Sequence, residues 1–243
     1  AFTTAAVFAV SAVGFLAQFF VIASLKVRAV SGESVSARQA LVNGLRFVAD
    51  NRLFTVLIPL SYAITFFGTS YLQIMPLFVD RMESGAQSFG FLMSGSGLGA
   101  VAGTLITASL QSSPRLGRIM LAAAIGASLA QLGFCAVTQW WPTHPWTFPL
   151  ALASIVVTAA LTSVFLISSM SVLQLAVPEA LRGRVMSMHG ITFSMIAMGA
   201  LFSGSLAEFI GAPIAVAVGA VVVVGVTMWV WWTQPVVRDI RGD

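Results

Sequence analysis

The chain has 243 residues, of which 58% are hydrophobic and only 8% charged, and its formal net charge is +4. A soluble domain carries roughly 25% charged residues, so this composition excludes one. Twelve Lys and Arg might signal nucleic acid in a soluble protein, but their placement, described below, makes them markers of membrane topology instead, and no nucleic-acid partner is expected.

In chain order, residues 1–25, 53–79, 84–114, 119–178, 185–207 and 209–237 contain no Asp, Glu, Lys or Arg. A helix crossing the ~30 Å hydrocarbon core needs about 20 apolar residues at ~1.5 Å each. The 119–178 run is too long for one crossing, and Trp141-Pro142-Thr143-His144-Pro145 supplies a turn between two. The pattern predicts an all-α integral membrane protein with seven spans, near 5–25, 53–75, 88–110, 119–139, 147–176, 187–207 and 212–232. A connector, 26–52, follows the first span. In it Ser31-Gly32-Glu33-Ser34 makes a flexible entry. Leu41, Leu45 and Val48 then recur at helical spacing among Arg38, Arg46 and Arg52, the pattern of an amphipathic helix lying along the membrane surface. Pro59 falls inside the second span, where it would kink the helix and help it flex. Cys135, the single cysteine, sits mid-span as a packing residue. It cannot form an intramolecular disulfide, and no Cys/His cluster has metal spacing, so neither metal nor cofactor is expected.

Eleven of the twelve basic residues fall on one side of these spans: Lys26, Arg28, Arg38, Arg46 and Arg52, then Arg115 and Arg118, Arg182 and Arg184, and Arg238 and Arg241. Only Arg81 is on the other. Basic loops stay in the cytoplasm, so the arginine-rich side and the C-terminus are expected there. Trp140, Trp141 and Trp146 mark the outer interface, and Trp229, Trp231 and Trp232 the inner one.

Seven spans with the C-terminus inside put the N-terminus outside, yet the chain opens Ala1-Phe2-Thr3-Thr4 without an initiator Met or a signal-peptide n-region. The basic flank of the first span, Lys26 and Arg28, also follows it rather than precedes it. Residues 1–25 therefore read as the last helix of a missing N-terminal half. After them come the connector 26–52, a six-helix domain 53–232 and a cytoplasmic tail 233–243. The six helices divide into triplets, 53–139 and 147–232, of opposite topology, as an inverted-repeat transporter requires. Small residues four apart mark close helix contacts: Gly95, Gly99 and Gly103; Ala122, Gly126 and Ala130; and Gly199, Ser203 and Ala207.

Gly44-Leu45-Arg46-Phe47-Val48 and Met75-Pro76-Leu77-Phe78-Val79 resemble the opening of the C-terminal half of a major facilitator superfamily transporter. Val177-Pro178-Glu179-Ala180-Leu181-Arg182-Gly183-Arg184-Val185-Met186 is similar to the loop between helices ten and eleven in the superfamily branch that holds the enterobactin exporter and other secretion and drug-efflux proteins. The resemblance implies helices six to twelve of a twelve-helix bundle. Its Arg-x-Gly-Arg signature survives as Arg115-Leu116-Gly117-Arg118, with Pro114 where the family often has Asp. Arg115, Gly117 and Arg118, together with Glu179, Arg182, Gly183 and Arg184, are the expected cytoplasmic gate, because a cation is favoured at helix C-termini and against carboxylates.

By the same resemblance, helices seven, eight, ten and eleven line a central cavity, and six, nine and twelve face lipid. The 53–75 span carries Tyr62, Thr65, Thr69 and Gln73 as one polar stripe. Thr158, Thr162 and Ser169 share a face of 147–176 with Phe165 between them, and Thr192, Ser194, Met195 and Met198 fall in 187–207. Such hydroxyls either bond between helices or line a watery path. Met195 and Met198 with Phe165 would make an adaptable surface for a large ligand. The expected function is alternating-access export of an amphiphilic small molecule such as a siderophore or drug across the bacterial cytoplasmic membrane. Its partners are the bilayer, the N-terminal half of the same transporter and protons as a coupling ion. No carboxylate lies mid-span, and His189 is placed near the interface and solvated, so the proton carrier is expected in the missing half.

Two other readings stand against this. A permease subunit of an ATP-driven transporter would need a loop that engages a nucleotidase, and the Arg-Gly-Arg turn is the feature here with that look. The chain has no phosphate-binding loop with Lys and hydrolyses no nucleotide itself. An intramembrane serine protease would need Gly-x-Ser-Gly with a His in reach, whereas Ser94-Gly95-Ser96-Gly97 has Ser at the first position and His189 at the far end of its span.

Overall fold

The computed structural model describes residues 4–24 and 37–242 and divides into two units, Ala1–Ser36 and Ala37–Asp243. In the first, α1 runs from Thr4 to Ser24 without a charged residue. The expected flexible entry at 31–34, with Lys26 and Arg28, lies outside the described residues, as do the side chains of Arg38 and Leu41.

Every other described element is helical: α2 (Ala37–Asp50), α3 (Arg52–Gly68), a 3-10 turn (Ser70–Leu72), α4 (Met75–Arg81), α5 (Gly85–Leu110), α6 (Leu116–Trp140), α7 (Thr147–Ala176), α8 (Glu179–Gly190), α9 (Thr192–Ile210), α10 (Ala212–Thr233) and α11 (Pro235–Arg238). In hydrocarbon only a helix or a closed barrel satisfies its own backbone, so charge-free runs of this length have little choice. Among the described residues six segments are long and apolar enough to cross a membrane: Arg52–Leu72, Gly85–Leu110, Leu116–Trp140, Thr147–Ala176, Leu181–Ile210 and Ala212–Thr233. The apolar Ser11–Ser24 stretch, within the first of the seven expected spans, is shorter than these six.

The boundaries depart from expectation at two places, and proline chemistry accounts for both. The span expected at 53–75 is not one helix: α3 stops at Gly68, a 3-10 turn follows, and α4 restarts with Pro76 in its first turn. Proline has no N–H to donate and is tolerated at a helix start, so it ends one segment and begins another. The span expected at 187–207 starts earlier. Pro178, at φ −56° and ψ 143°, is the N-cap of α8, so Glu179, Arg182 and Arg184 lie on a helix and not in a loop.

The six-helix unit is built from pairs. α5 packs along α7, and α9 along α3. α6 packs on α7 and α10, and α10 also touches α3 and α9. Its core falls into two apolar clusters. One, near the arginine-rich end, includes Phe54, Leu57, Met120, Phe165, Leu173 and Val230. The other, near Arg81, includes Tyr71, Met75, Phe78, Phe134 and Ile155, with the Phe78 and Phe134 ring centroids 4.6 Å apart. Hydroxyl contacts also cross from helix to helix within the unit. The Ser61 and Ser169 hydroxyls are 3.0 Å apart, those of Ser70 and Ser203 2.9 Å apart, and the Thr158 hydroxyl reaches the Ala127 carbonyl at 3.4 Å. These hold helix to helix where lipid supplies no hydrophobic drive.

Each end is tied by arginine. Arg52 Nε donates to Gln234 Oε1 at 3.0 Å, linking α3 to the end of α10. At the opposite end Arg81 donates to the Thr138 and Gln139 carbonyls, at 2.9 and 3.1 Å, and so holds α4 against α6. The surface helix α2 docks through Phe47 and Val48, with the Phe47 ring 5.2 Å from Phe54, while Val42 and Leu45 remain exposed. Gly44 on α2 lies against the Arg184 side chain of α8.

Candidate functional site

The residues expected to line a cavity separate into two groups. Thr65, Thr69, Thr158 and Phe165 are buried within the six-helix unit. Thr65 donates to the Ser61 carbonyl at 2.8 Å and Thr69 to the Thr65 carbonyl at 2.7 Å, one turn back on the same chain. A hydroxyl that returns its hydrogen to its own backbone has little left for a ligand. Gln73 is exposed, because the break after Gly68 takes it off the stripe predicted for a continuous helix. Met198 is 53% exposed, and Tyr62, Thr162 and Met195 are half-buried.

The broken segment and α9 flank an open groove of about 630 Å³. Gln73 and Ile74 form one wall, and Ala197, Ala200, Leu201, Gly204 and Ser205 the other. The small residues on α9 make the room, and Gln73 and Ser205 are its polar groups. Of the residues expected at a cavity, only Gln73 lines this one. Met195 and Met198 are on the same helix as the α9 wall.

His189 departs furthest from expectation. It is only 6% exposed, not solvated, and its Nδ1 has no hydrogen-bond partner among the described residues. It sits at the junction where α8 gives way to α9, beside Gly190. The buried Thr192 hydroxyl there also lacks a partner, and the Tyr62 hydroxyl donates to the Met188 carbonyl. The junction therefore joins α3 to the α8–α9 segment through one hydrogen bond and leaves an imidazole nitrogen unspent. A lone His in a charge-free run is the signal that could have found it. The protease constellation is not assembled among the described residues: none of their serines bonds His189 Nδ1, and Gly95 faces Leu152 of α7.

At the arginine-rich end, the acid missing at position 114 is supplied from elsewhere in the chain. Asp239, just after α11, accepts from Arg118 at 3.1 Å and from Arg238 at 3.2 Å. Hydrogen bonds from Arg238 and then Arg118 hold its carboxyl below the ordinary value, and Asp239 in return raises Arg238. Backbone bonds fix the tail against the α5–α6 turn: Gly117 N donates to the Ile240 carbonyl at 3.1 Å, and Gly242 N to the Ser113 carbonyl at 2.8 Å. Gly117 has no room for a side chain because the Val237 carbonyl oxygen occupies that space. Sequence reasoning missed this partnership because it spans 121 positions. Arg182 and Gly183 are exposed and Arg184 half-buried, and among the described residues no ion pair joins Glu179 to either arginine. Glu179 occupies the first turn of α8, where the helix dipole favours an acid.

Comparison with known proteins agrees with this architecture. The sequence model of the transmembrane secretion effector family matches residues 1–238. The enterobactin exporter EntS of Shigella flexneri is 27% identical over 147 residues, 60% of this chain. The match covers 32% of that protein, so the chain aligns with about a third of its curated relative. No solved structure matches. A family of membrane transporters accounts for a bundle without a catalytic constellation among its described residues. The chain is a multi-pass membrane protein of the major facilitator superfamily and belongs to its transmembrane secretion effector family.

Proposed function

We propose that the chain forms the C-terminal half of an alternating-access exporter that moves an amphiphilic small molecule, such as a siderophore or drug, out of a bacterial cell. The family match over residues 1–238 carries this reading, and similarity to an enterobactin exporter supports the direction of transport. Two features support the mechanism. The pairing of α5 with α7 repeats in that of α9 with α3, the relation expected of two inverted triplets that rock as one body. The cavity between the α3 break and α9 offers a mainly apolar wall with Gln73 and Ser205 as orienting groups, the usual make-up of a small-molecule site.

In this reading an N-terminal half closes the path from the other side, and α1 is the last helix of that half. Residues 26–52 connect the two halves, 53–232 form the rocking domain and 233–243 its cytoplasmic tail. Protons drive export with the carrier in the N-terminal half, a reading supported by the exposure of Asp80 and Glu208 near helix ends. The buried His189 is the titratable group of the C-terminal half that competes with it, and pH-gradient-driven efflux should survive His189→Asn. Arg115, Gly117, Arg118, Glu179, Arg182, Gly183 and Arg184 gate the cytoplasmic side. Bacteria that produce a catecholate siderophore and lack their own exporters provide the test. Expression of the transporter should lower the cell-associated siderophore and raise it in the medium, and unchanged retention would sink the proposal.

In this proposal the chain lies in the bacterial inner membrane with its arginine-rich end toward the cytoplasm, a reading the charge asymmetry supports. Single cysteines at Ser112 and Gln139 should then label from opposite faces with a membrane-impermeant maleimide, and Gln139→Cys should react in intact cells. Labelling of both from one face would overturn the span order, and labelling of Ser112→Cys alone in intact cells would invert it.

A further inference from the structure

The charge at the arginine-rich end exceeds what Asp239 can balance. A pocket of about 560 Å³ is lined by Pro114, Arg115, Arg118, Arg238, Asp239 and Arg241. Asp239 is engaged by Arg118 and Arg238. Arg115 and Arg241 have no carboxylate partner among the described residues, which leaves a surplus of three positive charges around one concavity. The surplus is held in place: the two backbone bonds between the tail and the α5–α6 turn bring Arg238 and Arg241 next to Arg115 and Arg118. Like charges gathered on a tied backbone repel one another and are stabilised by an anion. Guanidinium forks suit phosphate oxygens in particular.

A separate apolar groove begins one helical turn further along α6. Arg118, Ala122, Ile125 and Leu129 follow one another at spacings of four, three and four along α6, on a single helical face. The last three form one side of a second cavity, of about 300 Å³, completed by Met228, Trp231 and Trp232 of α10. Ala122 is only about 6 Å along the helix from Arg118. Leu129, Met228 and Trp232 are exposed within the membrane-length part of the bundle. A cationic mouth at the level of the tryptophans, opening onto an apolar slot that runs toward the bilayer centre, has the shape of a lipid. A soluble anion would make no use of the slot, and a carboxylate of another protein segment would not need it.

We infer that the groove between α6 and the α10–α11 end is a binding site for an anionic phospholipid. Its phosphate is held by Arg115 and Arg241 beside the Arg118–Asp239–Arg238 set, and one acyl chain lies along Ala122, Ile125 and Leu129. The site clamps the tail onto α6 and makes the tie between α6 and α10 depend on the surrounding lipid.

The test uses the purified protein in a zwitterionic detergent, with lipid binding followed by native mass spectrometry and thermal shift. Phosphatidylglycerol should bind at least roughly tenfold more tightly than phosphatidylcholine, and the preference should fall as salt rises. Arg115→Gln with Arg241→Gln should remove the preference without unfolding the protein, since neither side chain has an ion-pair partner to lose among the described residues. Ala122→Phe should fill the slot, weaken phosphatidylglycerol binding and leave any binding of inorganic phosphate unchanged. Absence of a headgroup preference in the wild-type protein would overturn the inference. So would full retention of the preference in the double variant. Protection by millimolar inorganic phosphate or glycerol 3-phosphate equal to that by the lipid would show a site for a free anion instead. Since the readout is binding and not transport, this result stands or falls separately from the export proposal.

Discussion

A tryptophan at Gly204 is expected to stop transport while leaving the protein folded and inserted. Gly204 lies on the α9 wall of the 630 Å³ cavity, and a Cβ there would meet Ile74 Cγ2 at 3.8 Å, an ordinary contact with the opposite wall. An indole therefore enters empty space instead of displacing packed atoms. If the cavity belongs to the transport path, Gly204→Trp should reduce efflux by at least about tenfold, equivalent to ~1.4 kcal/mol or more against the bound or moving substrate. Thr65→Trp makes the contrast. Thr65 is only 2% exposed, so bulk there overpacks the interior at a cost of about 1–3 kcal/mol or more. It should reduce the amount of folded protein before it affects any path. Val221→Trp, on the exposed face of α10, is the control that should alter neither. Efflux at the wild-type rate in Gly204→Trp, with normal membrane levels, would remove the cavity from the path.

The spans and their order were legible because the signal is one of length. Absence of charge over twenty or more residues suffices to identify a crossing, whatever the side chains do in detail. The two breaks were written less clearly. Pro76 and Gly68 each argue for an interruption, but between them lie Tyr71, Leu72 and Ile74, apolar residues that look the same in a helix or in a turn buried in a bundle. The hydroxyl stripe of Tyr62, Thr65, Thr69 and Gln73 was legible as a period and not as a direction. A helical face can turn toward a cavity or toward another helix, and the choice rests with α9 and α10, more than 100 residues away. Arg118 posed the same problem on a larger scale. Its carboxylate partner is Asp239, and no local pattern ties a loop after α5 to the tail of the chain. His189 was misplaced for a related reason. Counting from the span predicted at 187–207 put it at an interface, whereas α8 begins at Glu179 and carries it ten residues inward.

Glycine at position 199 is expected to tolerate no side chain at all, and the loss should be one of folding and not of chemistry. A Cβ built on Gly199 would fall on the Phe66 carbonyl oxygen of α3, 2.7 Å from the Phe66 carbonyl carbon and 3.0 Å from its Cα. All three obstacles are backbone, so no rotamer change can relieve them and the two helices must separate. Separation would also stretch the Ser70–Ser203 hydrogen bond one turn further along. Gly103 makes the corresponding contact on the other helix pair, where the Ala160 carbonyl oxygen of α7 occupies the place of a Cβ. Gly199→Ala should therefore lower the midpoint of thermal unfolding in detergent by an amount equivalent to about 1–3 kcal/mol, and Gly199→Leu should prevent accumulation in the membrane. Helix propensity alone predicts the opposite sign, since alanine in a helix is favoured over glycine by roughly 0.5–1 kcal/mol. Gly225 of α10 shows that term in isolation. It has nothing within 4 Å of its missing Cβ, so Gly225→Ala should raise the midpoint or leave it unchanged. Equal stabilisation by Gly199→Ala and Gly225→Ala would mean that α9 and α3 do not approach backbone to backbone. The inverted pairing of α3 with α9 and of α7 with α5 would then lose its closest contact.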